Sequence, residues 1–311
     1  MSAATSRPAA IQPKPMPTGD KRAFLPIRRV LCPVDFSEFS RAAVDRAVAL
    51  AKPFRAEITA LFVLPFVFPE DAAACSGPVA PEPGVQSAVA EDLEEFLRPA
   101  RDAGLKLRLR VRSGDCVGHI LDEARALESD LIVMGTHGRS GFERWVLGSV
   151  TDSVLRKAPC PVLAVPRMAS PPGPPASPSG RIVCAVLLSA HAARTVSYAL
   201  SLGRSTGSVV TLVHVWDGVG GPRVRATCEA ELRRRLHAAA VAEGPTDCAV
   251  EEVVASGRAH REILRLAEAR RADLIVLGSD GQGLGSTARR VLREAETPVL
   301  IVRSTPREEG P

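Results

Sequence analysis

SDLIVMGTHG (129–138) is answered half a chain later by ADLIVLGSDG (272–281). Each is a short apolar run, rich in β-branched residues, that ends on glycine and reads as a buried strand leaving for a loop. Three further pairs keep the same order. RRVLCPVDFS (28–37) matches RIVCAVLLS (181–189), EITALFVL (57–64) matches VVTLVHVW (209–216), and APCPVLAV (158–165) matches AETPVLIV (295–302). Four pairs in one order indicate internal duplication.

Between the copies lies PRMASPPGPPASPSG (166–180), a composition that supports neither helix nor strand. The expected organisation is a disordered tail over 1–26, a first domain over 27–166, a linker over 167–180, a second domain over 181–303 and a disordered tail over 304–311. Within the first copy, VLCPV, ITALFV, LRLRV, LIVM and PVLAV read as five strands separated by amphipathic segments such as Ser40 to Ala51 and Ser87 to Ala103. Runs buried on both faces and separated by helices mean a parallel sheet, and right-handed crossovers put helices on both of its sides. The fold class is α/β: two tandem doubly wound five-stranded parallel-sheet domains. Pro65 to Gly84 reads as a long, mobile connection. The last strand of each copy starts at a proline, as sheet edges do.

Composition narrows the function classes. The 311 residues are 45% hydrophobic, 24% charged and only 4% aromatic, which is globular and poor in the rings that stack single-stranded nucleic acid. The net charge of +5 is concentrated in residues 1–29; the two copies carry about −4 and +4, so no nucleic-acid face is indicated. The longest apolar stretch, Ile58 to Phe68, is too short for a membrane span. Without a secretory-type apolar run near the N-terminus, a cytoplasmic location is expected. Seven scattered cysteines and six scattered histidines give no metal-ligand spacing, so reduced thiols and no intrinsic metal site are expected.

In open α/β sheets, ligands sit beyond the carboxyl ends of the strands, where strand order reverses. Asp35 follows the first strand, Leu64 and Pro65 the second, and Gly135, Thr136, His137 and Gly138 the fourth; all are expected on one rim. The most specific signal is GTHGRSGFERWVLGSV (135–150): Gly135, two residues, Gly138, nine residues, Gly148, then Ser149 at a helix start. The glycines are expected to supply positive φ and close backbone approach, and the helix start to supply unpaired N–H groups. Such a socket suits an oligophosphate. Charge-assisted hydrogen bonds at ~1.5 to 3 kcal/mol each would let three or four approach the ~8 kcal/mol of micromolar binding.

On these motifs the chain resembles the universal stress protein family in its tandem form, from Arg29 to Arg303. The resemblance implies an adenine nucleotide α-hydrolase-like fold, pairing of the two edge strands into an intramolecular pseudo-dimer, and a bound adenine nucleotide, ATP, in the first domain, whose own charge of about −4 calls for a ligand-borne Mg2+. It implies that Asp35 holds the ribose, Val63 offers backbone to adenine, and Met134 and Gly135 pack beside the nucleoside. Gly138, Gly148, Ser149 and Val150 would hold the phosphates, with Arg139 nearby. It also implies a stress-response regulatory role with an unidentified protein partner and possible homo-oligomers.

Plainer readings stand beside these. Asp35 opens a capping-box pattern that closes at Glu38, and Ser149 fits as an N-cap with Asp152 three residues on. His137 has no assignable carboxylate partner and reads as a solvated loop residue; Cys160 reads as core. The second copy has Leu187 where the first has Asp35, and its loop runs Gly278, two residues, Gly281, three residues, Gly285, Ser286, six residues shorter. Losing two contacts of ~1.5 to 3 kcal/mol costs roughly a thousandfold in affinity, so the second domain is expected to be nucleotide-poor. No Walker motif, adenylation signature or GxSxG elbow is present, and no dedicated catalytic set is visible. The alternatives to a regulatory ATP-binding protein are a nucleotide-independent dimerisation or scaffold module and a slow ATPase.

Overall fold

The computed structural model describes residues 27–64, 83–138, 147–166, 180–188, 192–216, 218, 221–243, 248–279 and 283–303. The expected tails, most of the 65–84 connection, nearly all of the linker, Arg139 and Gly281 lie outside the described residues. The first copy runs β1 (Arg29–Val34), α1 (Glu38–Phe54), β2 (Glu57–Leu64), α2 (Pro83–Phe96), α3 (Arg98–Asp102), β3 (Leu107–Ser113), α4 (Cys116–Ala126), β4 (Leu131–Gly135), α5 (Ser149–Lys157) and β5 (Val162–Val165). The second runs β6 (Arg181–Ala185), α6 (Ala192–Thr206), β7 (Val209–Trp216), α7 (Pro222–Val241), β8 (Val250–Ser256), α8 (Ala259–Ala269), β9 (Leu274–Ser279), α9 (Ser286–Glu294) and β10 (Val299–Arg303).

The strands form one ten-stranded sheet in the order β3-β2-β1-β4-β5-β10-β9-β6-β7-β8. Pairing is parallel inside each copy. It is antiparallel at the centre, where Val299 faces Ala164, Leu300 faces Leu163 and Ile301 faces Val162. Each copy therefore closes the open edge of the other, as the family resemblance implies. Arg303 adds a side-chain bond across the seam, its Nη1 donating to the Ala158 carbonyl at 3.0 Å.

Strand alternation divides the core in two. Val30, Cys32 and Val34 point to one side, with α1, α2, α6 and α7; Leu31 points to the other, with α4, α5, α8 and α9. Both clusters run through both copies, so the seam is continuous core. Each fully buried aliphatic side chain there contributes ~1.5 to 3 kcal/mol.

Two local readings need correcting. LRLRV is not buried on both faces: β3 ends the sheet, is only partly covered, and carries Arg108 in an ion pair with Glu57 and Arg112 in one with Glu123 at 2.5 Å. The segment Ser87 to Ala103 is not one helix. It breaks at Leu97 because Pro99 has no N–H to donate and is tolerated only in the first turn of the new helix, α3. The other segment, Ser40 to Ala51, lies within α1, which runs three residues further, past Pro53.

Candidate functional site

Strand order reverses between β1 and β4, and the carboxyl ends of both open into a cleft of about 310 Å³. Eight of the nine residues singled out from the sequence line it: Asp35, Val63, Met134, Gly135, Gly138, Gly148, Ser149 and Val150. The ninth, Arg139, is outside the described residues.

Asp35 follows β1 and does not itself cap α1. Its Oδ1 accepts from the N–H of Ser37 at 3.0 Å and from the Ser37 hydroxyl at 2.5 Å. Ser37 is the cap, its Oγ accepting from the N–H of Ser40. The capping signal was therefore read two residues early, and the carboxylate orients the cap instead of being it. Asp35 Oδ2 faces Gly138 so closely that a Cβ there would stand 2.7 Å away.

The motif glycines serve close packing, not positive φ. None of Gly135, Gly138 and Gly148 has left-handed backbone, and Gly148 sits at φ −57°. A Cβ on Gly135 would stand 2.7 Å from the Cβ of Phe39, and one on Gly148 would stand 3.1 Å from the Thr136 carbonyl oxygen. The Gly148 N–H donates to that same carbonyl at 2.9 Å, which ties the start of α5 to the end of β4. Thr151 reinforces the tie, its Oγ1 donating to the Gly135 carbonyl at 2.8 Å.

Ser149 is the first residue of α5, not its cap; Gly148 holds the cap position and, among the described residues, no side chain bonds the helix start. The helix geometry leaves the Ser149, Val150 and Thr151 amides without intrahelical acceptors, and all three residues border the cleft. They carry the positive end of the helix dipole. Leu61, Ile120, Met134 and Val63 make the opposite wall apolar.

His137 is not solvated as expected. Its ring lies 5.0 Å from that of Phe39, its Nδ1 is 3.0 Å from Thr136 Oγ1, and its Nε2 is buried without a hydrogen-bond partner. Cys160 is buried in the core. Among the described residues no three His, Cys, Asp or Glu side chains gather as a metal site, and no helix is long and apolar enough to cross a membrane.

Cys116 and Ile120, on α4, were missed by reading the strand ends alone. Their signal was present as Ser113-Gly114 and Ser256-Gly257, repeated before α4 and α8. These glycines do need left-handed backbone, at φ +129° and +139°. Gly114 and Gly257 donate to the carbonyls of Leu64 and Trp216, each at 2.8 Å, and turn the chain back toward the cleft. The Cys116 thiol is pushed up to about 11, first by burial and then by the carboxylates of Asp115 and Asp35.

The family model of the universal stress proteins matches residues 26–166 and again 178–303. The chain belongs to the universal stress protein family. A Methanocaldococcus jannaschii universal stress protein is 34% identical over 143 residues, 44% of this chain and 81% of that protein. A universal stress protein of Mycolicibacterium smegmatis is 28% identical over 305 residues, 88% of this chain and 96% of its own. The crystal structure of a universal stress protein from Archaeoglobus fulgidus has the same architecture, with a TM-score of 0.66 and 25% identity over 88% of this chain and 98% of that one. The tandem arrangement of this universal stress protein is thus carried through both Usp segments and the single sheet that joins them.

Proposed function

We propose that the first repeat binds ATP with Mg2+ and that the protein is a cytoplasmic stress-response regulator in which nucleotide selects one conformation. One observation carries the reading: a carboxylate, an apolar wall and an uncapped helix start face one another across a single cleft. Asp35 would take the ribose hydroxyls, Val63 and Met134 would flank adenine, and the amides beside Gly148 would take phosphate oxygens, with Gly135 and Gly138 leaving room. Three such amide bonds at ~1.5 to 3 kcal/mol each match micromolar to millimolar affinity. Mg2+ would arrive on the phosphates, offsetting the acidic charge of this repeat.

The same geometry supports binding more than turnover. His137, which lines the cleft, has its ring against Phe39 and its Nε2 buried, so it is not placed to activate water.

Calorimetric titration with Mg-ATP tests the reading. The expected result is one site per chain in the wild type, and affinity at least tenfold weaker for Asp35→Ala. Absence of heat and of any rise in melting temperature at millimolar Mg-ATP would overturn it. Phosphate release that exceeds background and disappears in Asp35→Ala would replace the regulator by an ATPase.

A further inference from the structure

The second repeat keeps a cleft of about 270 Å³ at the position of the first, between β6, β7, β9 and the starts of α8 and α9. Strand register, with the matching starts of α4 and α8 and of α5 and α9, gives the equivalences. Where the first wall has Pro33, Leu61, Cys116 and Thr151, the second has Ala185, Val213, Ala259 and Ala288, all smaller. A fold retained only as a surface loses nothing when larger side chains fill a redundant cleft, and it gains dispersion contacts. Here the cleft has stayed open, at nearly the volume of the first.

Two substitutions and one shared glycine shape what the cleft can hold. Leu187, 70% exposed, stands at the mouth in the place of Asp35, so a carboxylate that would repel an anion is replaced by an apolar lip. His214 stands where the first repeat has Phe62. Its Nδ1–H donates to the Val186 carbonyl at 2.8 Å, which fixes the ring at the cleft wall. At the start of α9, a Cβ on Gly285 would meet nothing within 4 Å, and φ −59° is open to any residue. The fold does not require glycine there. Its absence of a side chain keeps the Ser286 and Thr287 amides reachable from the cleft, and among the described residues no side chain caps them.

We infer that the second cleft is a separate binding site for a compact, mostly apolar carboxylate. Its aromatic or branched body would lie against Val213, Val215, Ile263 and Leu277, and its carboxylate would lie on the Ser286 and Thr287 amides. Nucleoside triphosphates are disfavoured there, because neither the ribose carboxylate nor the longer glycine loop is present. This site stands whether or not the first repeat binds ATP.

The test is an amide-resolved NMR titration of the full chain with benzoate, and with neutral benzamide as the control. The expected result is saturable shifts at Ser286 and Thr287 with a dissociation constant of about 1 mM or tighter, and at least tenfold weaker binding of benzamide. Gly285→Val should remove the benzoate response, Leu187→Asp should weaken it about tenfold, and Asp35→Ala should leave it unchanged. No saturable shift at about 10 mM benzoate would overturn the assignment. So would equal binding of benzamide by the wild type, a comparison that needs no variant to fold.

Discussion

Asp35 and Gly138 meet across the mouth of the first cleft, with Oδ2 of the aspartate only 2.7 Å from where a methyl group on the glycine would sit. Gly138→Ala must therefore displace the carboxylate, whose side chain can swing, while leaving the backbone unstrained. Calorimetry should show Mg-ATP bound at least tenfold more weakly, with little change in melting temperature. A large loss of stability would mean that the contact is rigid and that the glycine serves the fold alone.

Thr151 provides a second check because its side chain is buried at the border of the cleft. In Thr151→Val the Gly135 carbonyl loses its buried 2.8 Å hydrogen bond. Denaturant unfolding should report ~1 to 3 kcal/mol of lost stability. The helix start would also loosen relative to β4, so nucleotide affinity should fall in parallel.

The seam predicts a larger effect. Leu163 and Leu300 face one another in the antiparallel pair, each 1 to 2% exposed. Leu300→Asp places an unpaired carboxylate in continuous core, and destabilisation of more than ~3 kcal/mol is expected by thermal or chemical unfolding. Survival of a normal melting curve would show that the two halves are stable without the seam.

Alkaline pH offers a prediction with a definite sign. Burial pushes the thiols of Cys32, Cys160 and Cys184 up to about 12, from the usual value of 9.0. Their folded values exceed their unfolded ones, so the folded chain holds protons that the unfolded chain has released. The stabilisation is complete below about pH 9 and is lost as pH rises toward 12, by up to ~1.4 kcal/mol per pH unit for each thiol. Stability measured between pH 8 and 11 should fall, and Cys184→Ala should flatten the fall. An unchanged slope in that variant would show that the thiol does not contribute.

The second repeat shows how far sequence spacing alone could go. Leu187 in the Asp35 position was legible from the alignment of the two halves, and so was the shorter loop; the pairing of the final strands came from the family resemblance. The His137 environment was not legible, because nothing within a few residues reveals that Phe39, from another element, packs against it. The reading of the glycines also went astray: spacing marked Gly135, Gly138 and Gly148 correctly as necessary, but the reason is crowding by Phe39, Asp35 and Thr136, not left-handed backbone.

Another asymmetry emerges only in three dimensions. Arg46 of α1 and Tyr198 of α6 occupy equivalent positions in the two repeats and are both buried. Burial pulls the Arg46 guanidinium below its usual range and Asp273 of the other repeat opposes that fall; burial drives the Tyr198 hydroxyl up, with Cys160 and Asp130 of the first repeat adding to it. Arg46→Met, which keeps the apolar stem and removes the charge, should change stability by less than ~1.5 kcal/mol, whereas Arg46→Ala should cost more through lost packing. Unfolding curves of the two variants separate these outcomes.

By itself, the sequence determined the duplication, the order of strands and helices, and the glycine spacing around the cleft, because these depend on neighbours two to four residues apart. Only the tertiary structure decided that Cys116 and Ile120 join the cleft wall, that Ser37 rather than Asp35 caps α1, and that Arg303 bonds Ala158 across the seam. The physical reason is distance along the chain. Local periodicity is written into steric and hydrogen-bonding preferences of adjacent residues, whereas contacts between remote segments wait on strand register and the handedness of each crossover.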